Sequence, residues 1–247
     1  SAEKISVGPP FYQKLIVPFL APFLLFMALG PKLKWIKSKL DNKISLIILF
    51  IISVILTFIL LRNLTSDLLL YTILISSAFF LLFITLKELF IKKFNNISQT
   101  TAHLGFSLLI LSILFNGILS SEIITNIKVG EKYKHSKGEI FFEKIEEKKQ
   151  SNFNSIIGYF KITDKNGKIF QLRPELRVYN QPMIITSEAD IKTTLLDDKF
   201  LVMNLVKGNE YFNIRYQVKP FMLWIWISVL IFSLGGLMSL LKKEHEK

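Results

Sequence analysis

Five long apolar runs constrain this chain more than any other feature. They span about Phe11–Leu29, Ile44–Leu61, Leu68–Ile91, Ala102–Leu119 and Pro220–Leu241, with almost no charge inside them. Each is close to the roughly 20 residues that cross the hydrocarbon core of a bilayer as a helix. A soluble core rarely needs five such segments, so the runs predict an integral membrane protein. Pro18 and Pro22 interrupt the first run. Membrane helices tolerate such kinks when neighbours satisfy the freed carbonyls. The Gly8-Pro9-Pro10 step before it predicts an extended entry, with Phe11 and Tyr12 in the interfacial aromatic belt. Pro220, Trp224 and Trp226 repeat that device before the last run, where Pro marks a helix start.

The charges orient the runs. The net charge is +12, but the lysines sit at the ends of apolar runs, so a nucleic-acid partner is not expected. Lys32, Lys34, Lys37, Lys39 and Lys43, against Asp41, separate the first two runs. Lys87, Lys92 and Lys93, against Glu88, separate the third and fourth, and Lys242, Lys243 and Lys247 follow the fifth. Alternating spans place all of these on one side, as the positive-inside rule requires. The N-terminus, the short Arg62–Asp67 connection and the polar region Ser121–Lys219 then fall on the other side. Three parts follow: a four-helix membrane region over 1–120, an extracytoplasmic β domain over 121–219, and a last transmembrane helix with its tail over 220–247. The fold class is thus an α-helical membrane protein of five spans, with one small all-β domain inserted before the last helix.

Within the polar region, Ile157–Thr163 and Gly167–Leu172 read as strands joined through Asp164-Lys165-Asn166-Gly167, a hairpin signal. Arg177–Tyr179, Phe200–Val206 and Tyr211–Val218 read as further strands, the last two joined through Lys207-Gly208-Asn209-Glu210. Glu143–Gln150 reads as a solvated loop or helix face, and Ser187-Glu188-Ala189-Asp190 as a polar loop. The expected architecture is a small β-sandwich or barrel-like domain.

Candidate chemistry is sparse. There is no cysteine, which rules out disulfides, thiolate metal sites and a thiol nucleophile. No phosphate loop, zinc-protease motif or catalytic triad is readable. Of three histidines, His135 lies among lysines and is expected to be exposed, and His245 lies in the charged tail. His103 stands at the mouth of the fourth run. An imidazole there suits axial ligation of a haem iron, or simply caps the helix or hydrogen-bonds a neighbour. Arg173 and Arg177 lie near Tyr179 in the sequence and suit carboxylates, whether haem propionates or an acidic partner; equally, they are ordinary strand-edge charges. Gly235 and Gly236 permit close packing of the last helix.

Five segments together carry a resemblance: Ile5–Tyr12 (ISVGPPFY), Ala102–Gly105 (AHLG), Pro174–Tyr179 (PELRVY), Ser187–Ile191 (SEADI) and Lys219–Trp226 (KPFMLWIW). In this order and spacing the chain resembles the C-terminal portion of the cytochrome c haem lyase subunit CcmF, of the System I maturation machinery. The resemblance implies a membrane component of a haem lyase that helps attach transient substrate haem to apocytochrome c. It implies a resident haem b with His103 as one axial ligand. Implied partners are a haem chaperone, a thiol-handling maturation subunit and apocytochrome c, besides membrane lipid. The family's Trp-rich haem-handling loop and second haem ligand have no counterpart here; the tryptophans are Trp35, Trp224 and Trp226. The chain is therefore expected to be the C-terminal half of a longer polypeptide or one product of a split gene, needing an N-terminal haem-lyase portion. The implied location is the bacterial inner membrane with the β domain in the periplasm, or else the mitochondrial inner membrane. The rival reading is a non-catalytic scaffold or transporter subunit whose outer domain binds a partner protein; paired halves and midplane charges are not seen.

Overall fold

A computed structural model describes residues 9–33, 43–64, 68–91, 97–206, 208 and 210–245. The chain forms two compact units, one of residues 1–118 with 224–247 and one of residues 119–223. The first is helical: α1 Pro9–Leu29, a 3₁₀ turn over Gly30–Lys32, α2 Lys43–Leu61, α3 Leu68–Ile91, α4 Ile97–Leu119 and α5 Met222–His245. Four segments, Lys43–Leu61, Leu69–Ile91, Ile97–Leu119 and Met222–Leu241, are long and apolar enough to cross a membrane; the apolar part of α1, Pro18–Lys32, is shorter. Helix α1 continues through Pro18 and Pro22. It begins at Pro9, so Pro9 and Pro10 occupy its first turn rather than an extended entry. No intrahelical N–H is needed there. The segment before Pro9, with Ile5 and Gly8, lies outside the described residues, as do Lys34, Lys37, Lys39, Asp41, Trp35, Lys92, Lys93 and Lys247.

Helix α3 is the centre of this unit and packs on α1 and α2. Leu74, Ile75, Ala78, Phe80, Leu81 and Ile84 are buried along it, with Ser76, Ser77 and Thr85. The hydroxyls on these helices turn inward on their own backbone. Ser53 and Thr57 donate to the carbonyls of Leu49 and Ser53, both at 2.7 Å, and Thr85 donates to Leu81 O at 2.7 Å. Bonding back by one turn satisfies these hydroxyls within their own helix, whereas the buried Thr72 Oγ1 of α3 has no partner among the described residues. Ser53, Thr57 and Leu61 form the buried face of α2, where small side chains admit a neighbouring helix closely. Large apolar side chains such as Phe19, Phe26, Ile44 and Leu69 are exposed, the inverse of a soluble protein.

One end of the helical unit carries the charges. Lys32 donates to Glu88 at 2.6 Å, tying α1 to α3, and Lys87 donates to Ser45 Oγ at 2.5 Å, tying α3 to α2. The helix ends joined by the lysine-rich connections therefore meet.

The second unit is an antiparallel sandwich. Its strands are β1 Ser121–Ile127, β2 Lys132–His135, β3 Gly138–Lys149, β4 Phe153–Asp164, β5 Ile169–Leu172, β6 Glu175–Asn180, β7 Met183–Glu188, β8 Asp190–Thr193, β9 Asp197–Leu205 and β10 Phe212–Pro220. One sheet runs β1-β10-β9-β8; the other runs β2-β3-β4-β6-β7, with β5 also paired to β4. The core between them holds Ile127, Ile140, Phe142, Phe160, Ile162, Leu172, Leu176, Leu201, Met203 and Ile214. Phe142 and Phe160 stack with centroids 4.1 Å apart. The hairpin turn at Asp164 forms as its residues demand. Asp164 Oδ1 accepts from the N–H groups of Asn166 and Lys168, and Gly167 takes φ +74°, a conformation natural to glycine.

Several expectations need correction. Glu143–Gln150 is neither loop nor helix face: through Lys149 it is the outer half of β3, paired with Asn154–Tyr159 after a register shift between Phe142 and Lys144. Strand β2 covers only the Gly138–Phe141 half of β3. The charged half is left as an edge, where charge guards against further strand pairing. Ser187–Asp190 contains only a break at Ala189 between β7 and β8. Pro220 does not start the last helix; it ends β10, paired with Asp197. Phe221, at φ +60°, makes the corner into α5. At a strand end Pro forfeits no needed ladder bond. Lys207 and Asn209, from the last predicted hairpin turn, lie outside the described residues.

Candidate functional site

His103 lies on α4, which begins at Ile97 because Ser98–Thr101 are helical too. The ring therefore sits in the second turn, roughly 9 Å in at 1.5 Å per residue, and does not cap the helix. Its two flanks are clamped against α5. A Cβ on Gly105 would stand 2.3 Å from the backbone nitrogen of Phe232, and one on Gly235 would stand 2.4 Å from that of Ala102. Only glycine permits backbones to approach so closely. Phe106 then contacts Phe232 of α5 at 5.9 Å and Phe23 of α1 edge-on at 5.9 Å. The AHLG segment is held on two sides while His103 is left half-buried. Among the described residues neither ring nitrogen has a hydrogen-bond partner. Glu88, paired to Lys32, is near enough to act on the ring through its charge.

The described residues contain no group of three metal-ligating side chains, so His103 contributes a single nitrogen. An imidazole that is half-buried and without a hydrogen-bond partner among the described residues would have a nitrogen available to a metal cofactor such as haem, or to a hydrogen-bonding neighbour.

Arg173 and Arg177 lie in the sandwich and differ in their surroundings. Arg177 is committed locally. Its Nη2 donates to Glu175 Oε2 at 3.2 Å, and its Nε stands 3.1 Å from Oε1 without hydrogen-bond alignment. Glu188 is 3.9 Å away, and Phe153 lies under the guanidinium at 5.1 Å. The Glu175 hydrogen bond pushes its pKa further up and lowers that of Glu175. Arg173 is exposed. Its guanidinium donates to Gln171 Oε1 at 2.8 and 3.2 Å and lies over Tyr159 at 5.1 Å. Among the described residues no carboxylate pairs with that charge; Asp190 accepts only the Arg173 backbone N–H, at 2.6 Å.

His135 is not the exposed surface residue expected from its lysine neighbours. Alternation along β2 turns Lys132 and Lys134 outward and Tyr133 and His135 inward. Nδ1 accepts the N–H of Lys137 at 3.1 Å, Nε2 is buried without a partner among the described residues, and the ring sits 6.0 Å from that of Tyr216. Burial, then the Lys137 charge, lowers the His135 pKa. Burial, then Asp197 and Asp164, raises that of Tyr216. Both residues line a cleft of about 230 Å³. The strand period was the available signal. The side chain of His245 lies outside the described residues.

A β-sandwich set in the chain between the fourth and fifth of five apolar helices defines an integral membrane protein that carries a folded β domain. Residues 118–220 match the family model of the CcmF C-terminal β-sandwich. The whole chain is similar to CcmF proteins. It is 26% identical over 253 residues to the cytochrome c-type biogenesis protein CcmF of Escherichia coli K12, covering 98% of this chain and 39% of that protein. It is 23% identical over 258 residues to the cytochrome c-type biogenesis protein ccl1 of Rhodobacter capsulatus, covering 98% and 39%. Its fold matches the solved cytochrome c haem lyase CcmF with a TM-score of 0.72 at 20% identity, over 93% of this chain and 40% of that one. The chain thus spans about two-fifths of the length of these relatives.

Proposed function

We propose that this chain is the C-terminal membrane component of a haem lyase for cytochrome c maturation, with His103 as one axial ligand of a haem b. Support comes from the names of its relatives and from an imidazole that has no hydrogen-bond partner among the described residues, on a helix clamped by Gly105 and Gly235. When bound, such a haem supplies one-electron chemistry close to incoming substrate haem. This chain's part is to hold one imidazole nitrogen in fixed orientation. The clamp on Ala102 and Gly105 fixes the helix, and among the described residues no hydrogen bond competes for the ring nitrogens. An N-terminal portion provides the opposite ligand and the Trp-rich loop. A haem chaperone, a thiol-handling subunit and apocytochrome c complete the assembly, in the bacterial inner membrane with the sandwich in the periplasm. Arg173, whose charge meets no carboxylate among the described residues, is the contact offered to a propionate or an acidic partner; Arg177 serves the sheet.

The test is a complex of this chain with its N-terminal counterpart. We expect a bis-imidazole haem b spectrum, and its loss in His103→Ala with the two parts still co-purifying. An unchanged Soret band in that variant refutes the ligand assignment. A wild-type complex without any chromophore favours a scaffold.

A further inference from the structure

We infer that the loop Thr194–Leu196 of the sandwich inserts into the interface of the chain's own bilayer, where lysines beside it meet lipid phosphates. The loop joins β8 to β9 and carries two exposed leucines, Leu195 at 70% and Leu196 at 68%. It is internally braced. Thr194 Oγ1 donates to Asp197 and accepts the N–H groups of Leu196 and Asp197 at 3.3 and 3.0 Å, while Thr194 N–H donates to Asp197 O at 2.9 Å. The brace consumes polar groups that water would otherwise satisfy and leaves the two leucines outermost.

Covalent continuity sets the depth of this loop. The Leu196 carbonyl accepts the N–H of Phe221 at 2.8 Å, and Asp197 pairs with Pro220. Met222, the next residue, begins the apolar segment Met222–Leu241. The loop is therefore fixed to the backbone one residue before the chain enters an apolar helix. Where that helix enters hydrocarbon, Leu196 stands at the same level, at the headgroup boundary. An apolar tip beside basic residues is how interfacial segments bind.

The surroundings fit phosphate better than a second apolar surface. A groove of about 590 Å³ runs beside the loop, lined among others by Lys168, Lys192, Lys199 and exposed Ile169. Lys192 and Lys199 lie over the Phe170 ring at 4.6 and 4.9 Å. Of the carboxylates in the groove, Asp164 is taken by its own turn and Asp197 by Thr194, with Lys199 at 3.7 Å. Lys168 and Lys192 are exposed and form no ion pair among the described residues.

The chain has no cysteine, so one introduced thiol labels one site. Leu195→Cys and Leu196→Cys, each carrying bimane, would be read in the full chain in nanodiscs of phosphatidylglycerol and phosphatidylcholine. Met183→Cys is the control: it is 85% exposed and lies beside the Phe153 end of β4, whereas the groove lies at the Asp164 end, roughly 35 Å away by strand rise. We expect lipids brominated near the headgroup to remove most of the fluorescence at 195 and 196 and to spare 183. Lys168→Glu combined with Lys192→Glu should weaken that loss. Labels at 195 and 196 that iodide quenches as readily as at 183 overturn the proposal. Labels shielded from both iodide and brominated lipid also overturn it and assign the surface to protein. The readout is lipid contact, so it stands or falls apart from the haem assignment.

Discussion

His135 shows how a single residue couples the sandwich to pH. Its Nδ1 accepts a backbone N–H, so the proton sits on buried, unpartnered Nε2. Protonating the ring would strip that contact and place a charge beside Lys137, which also lines the cleft with Lys199, Asp164 and Asp197. The folded pKa lies below the ordinary value of about 6.5, so the unfolded chain binds the proton more readily. Stability from the neutral ring is therefore fully present above about pH 6.5 and is lost as pH falls through the lowered folded value. Melting of the sandwich in the nanodisc-embedded chain, followed from pH 8 to 5, should show this decline, and His135→Gln should flatten it. Glu122, whose carboxylate accepts from Arg215 and Gln217 and is held below its ordinary range by Arg215 first, acts only at lower pH.

At the scale of an element, α4 and α5 meet through absent side chains. Gly105 faces Phe232 and Gly235 faces Ala102 at distances that no Cβ tolerates, and the obstructing atoms are backbone. The helices must separate if either glycine gains bulk. Gly105→Leu should cost about 1–3 kcal/mol or more, as overpacking does. It should also displace Phe106 from Phe232. Thermal unfolding in detergent, reported by Trp224 and Trp226 on α5, checks the cost. Haem retention in the complex checks whether the clamp orients His103. Gly236→Ala is the matched control, because a Cβ there meets nothing within 4 Å; it should leave both readouts unchanged.

For the molecule as a whole, two units of opposite solvent logic share one chain. The helical unit turns hydroxyls such as Ser53 and Thr57 inward and exposes Phe19, Phe23 and Phe26; the sandwich buries Phe142 and Phe160 between its sheets. Removing one of that stacked pair, Phe142→Ala, should destabilise the sandwich by about 3–5 kcal/mol. Limited proteolysis of the membrane-embedded chain should then cut within residues 121–220 while the helices stay intact. The apolar runs were readable because length and lack of charge suffice to mark a bilayer helix. The hairpin at Asp164–Gly167 was readable because its turn chemistry is local. Strand β3 was misread at Glu143–Lys149 because its charge reflects an edge that exists only once β2 stops short. His135 was misread because its lysine neighbours belong to the opposite strand face. His103 could be singled out as the lone imidazole of an apolar run, but not its clamp, since Phe232 is 127 residues away from Gly105.

Taken alone, the sequence determined the apolar helices and the presence of a β domain before the last helix, since each depends on local composition and short-range period. Tertiary structure decided which strands pair, Ser121 with Val218 for one, which polar groups are buried without partners, and that Leu196 lies against Phe221. Those outcomes depend on chain closure between distant residues, which no local pattern encodes.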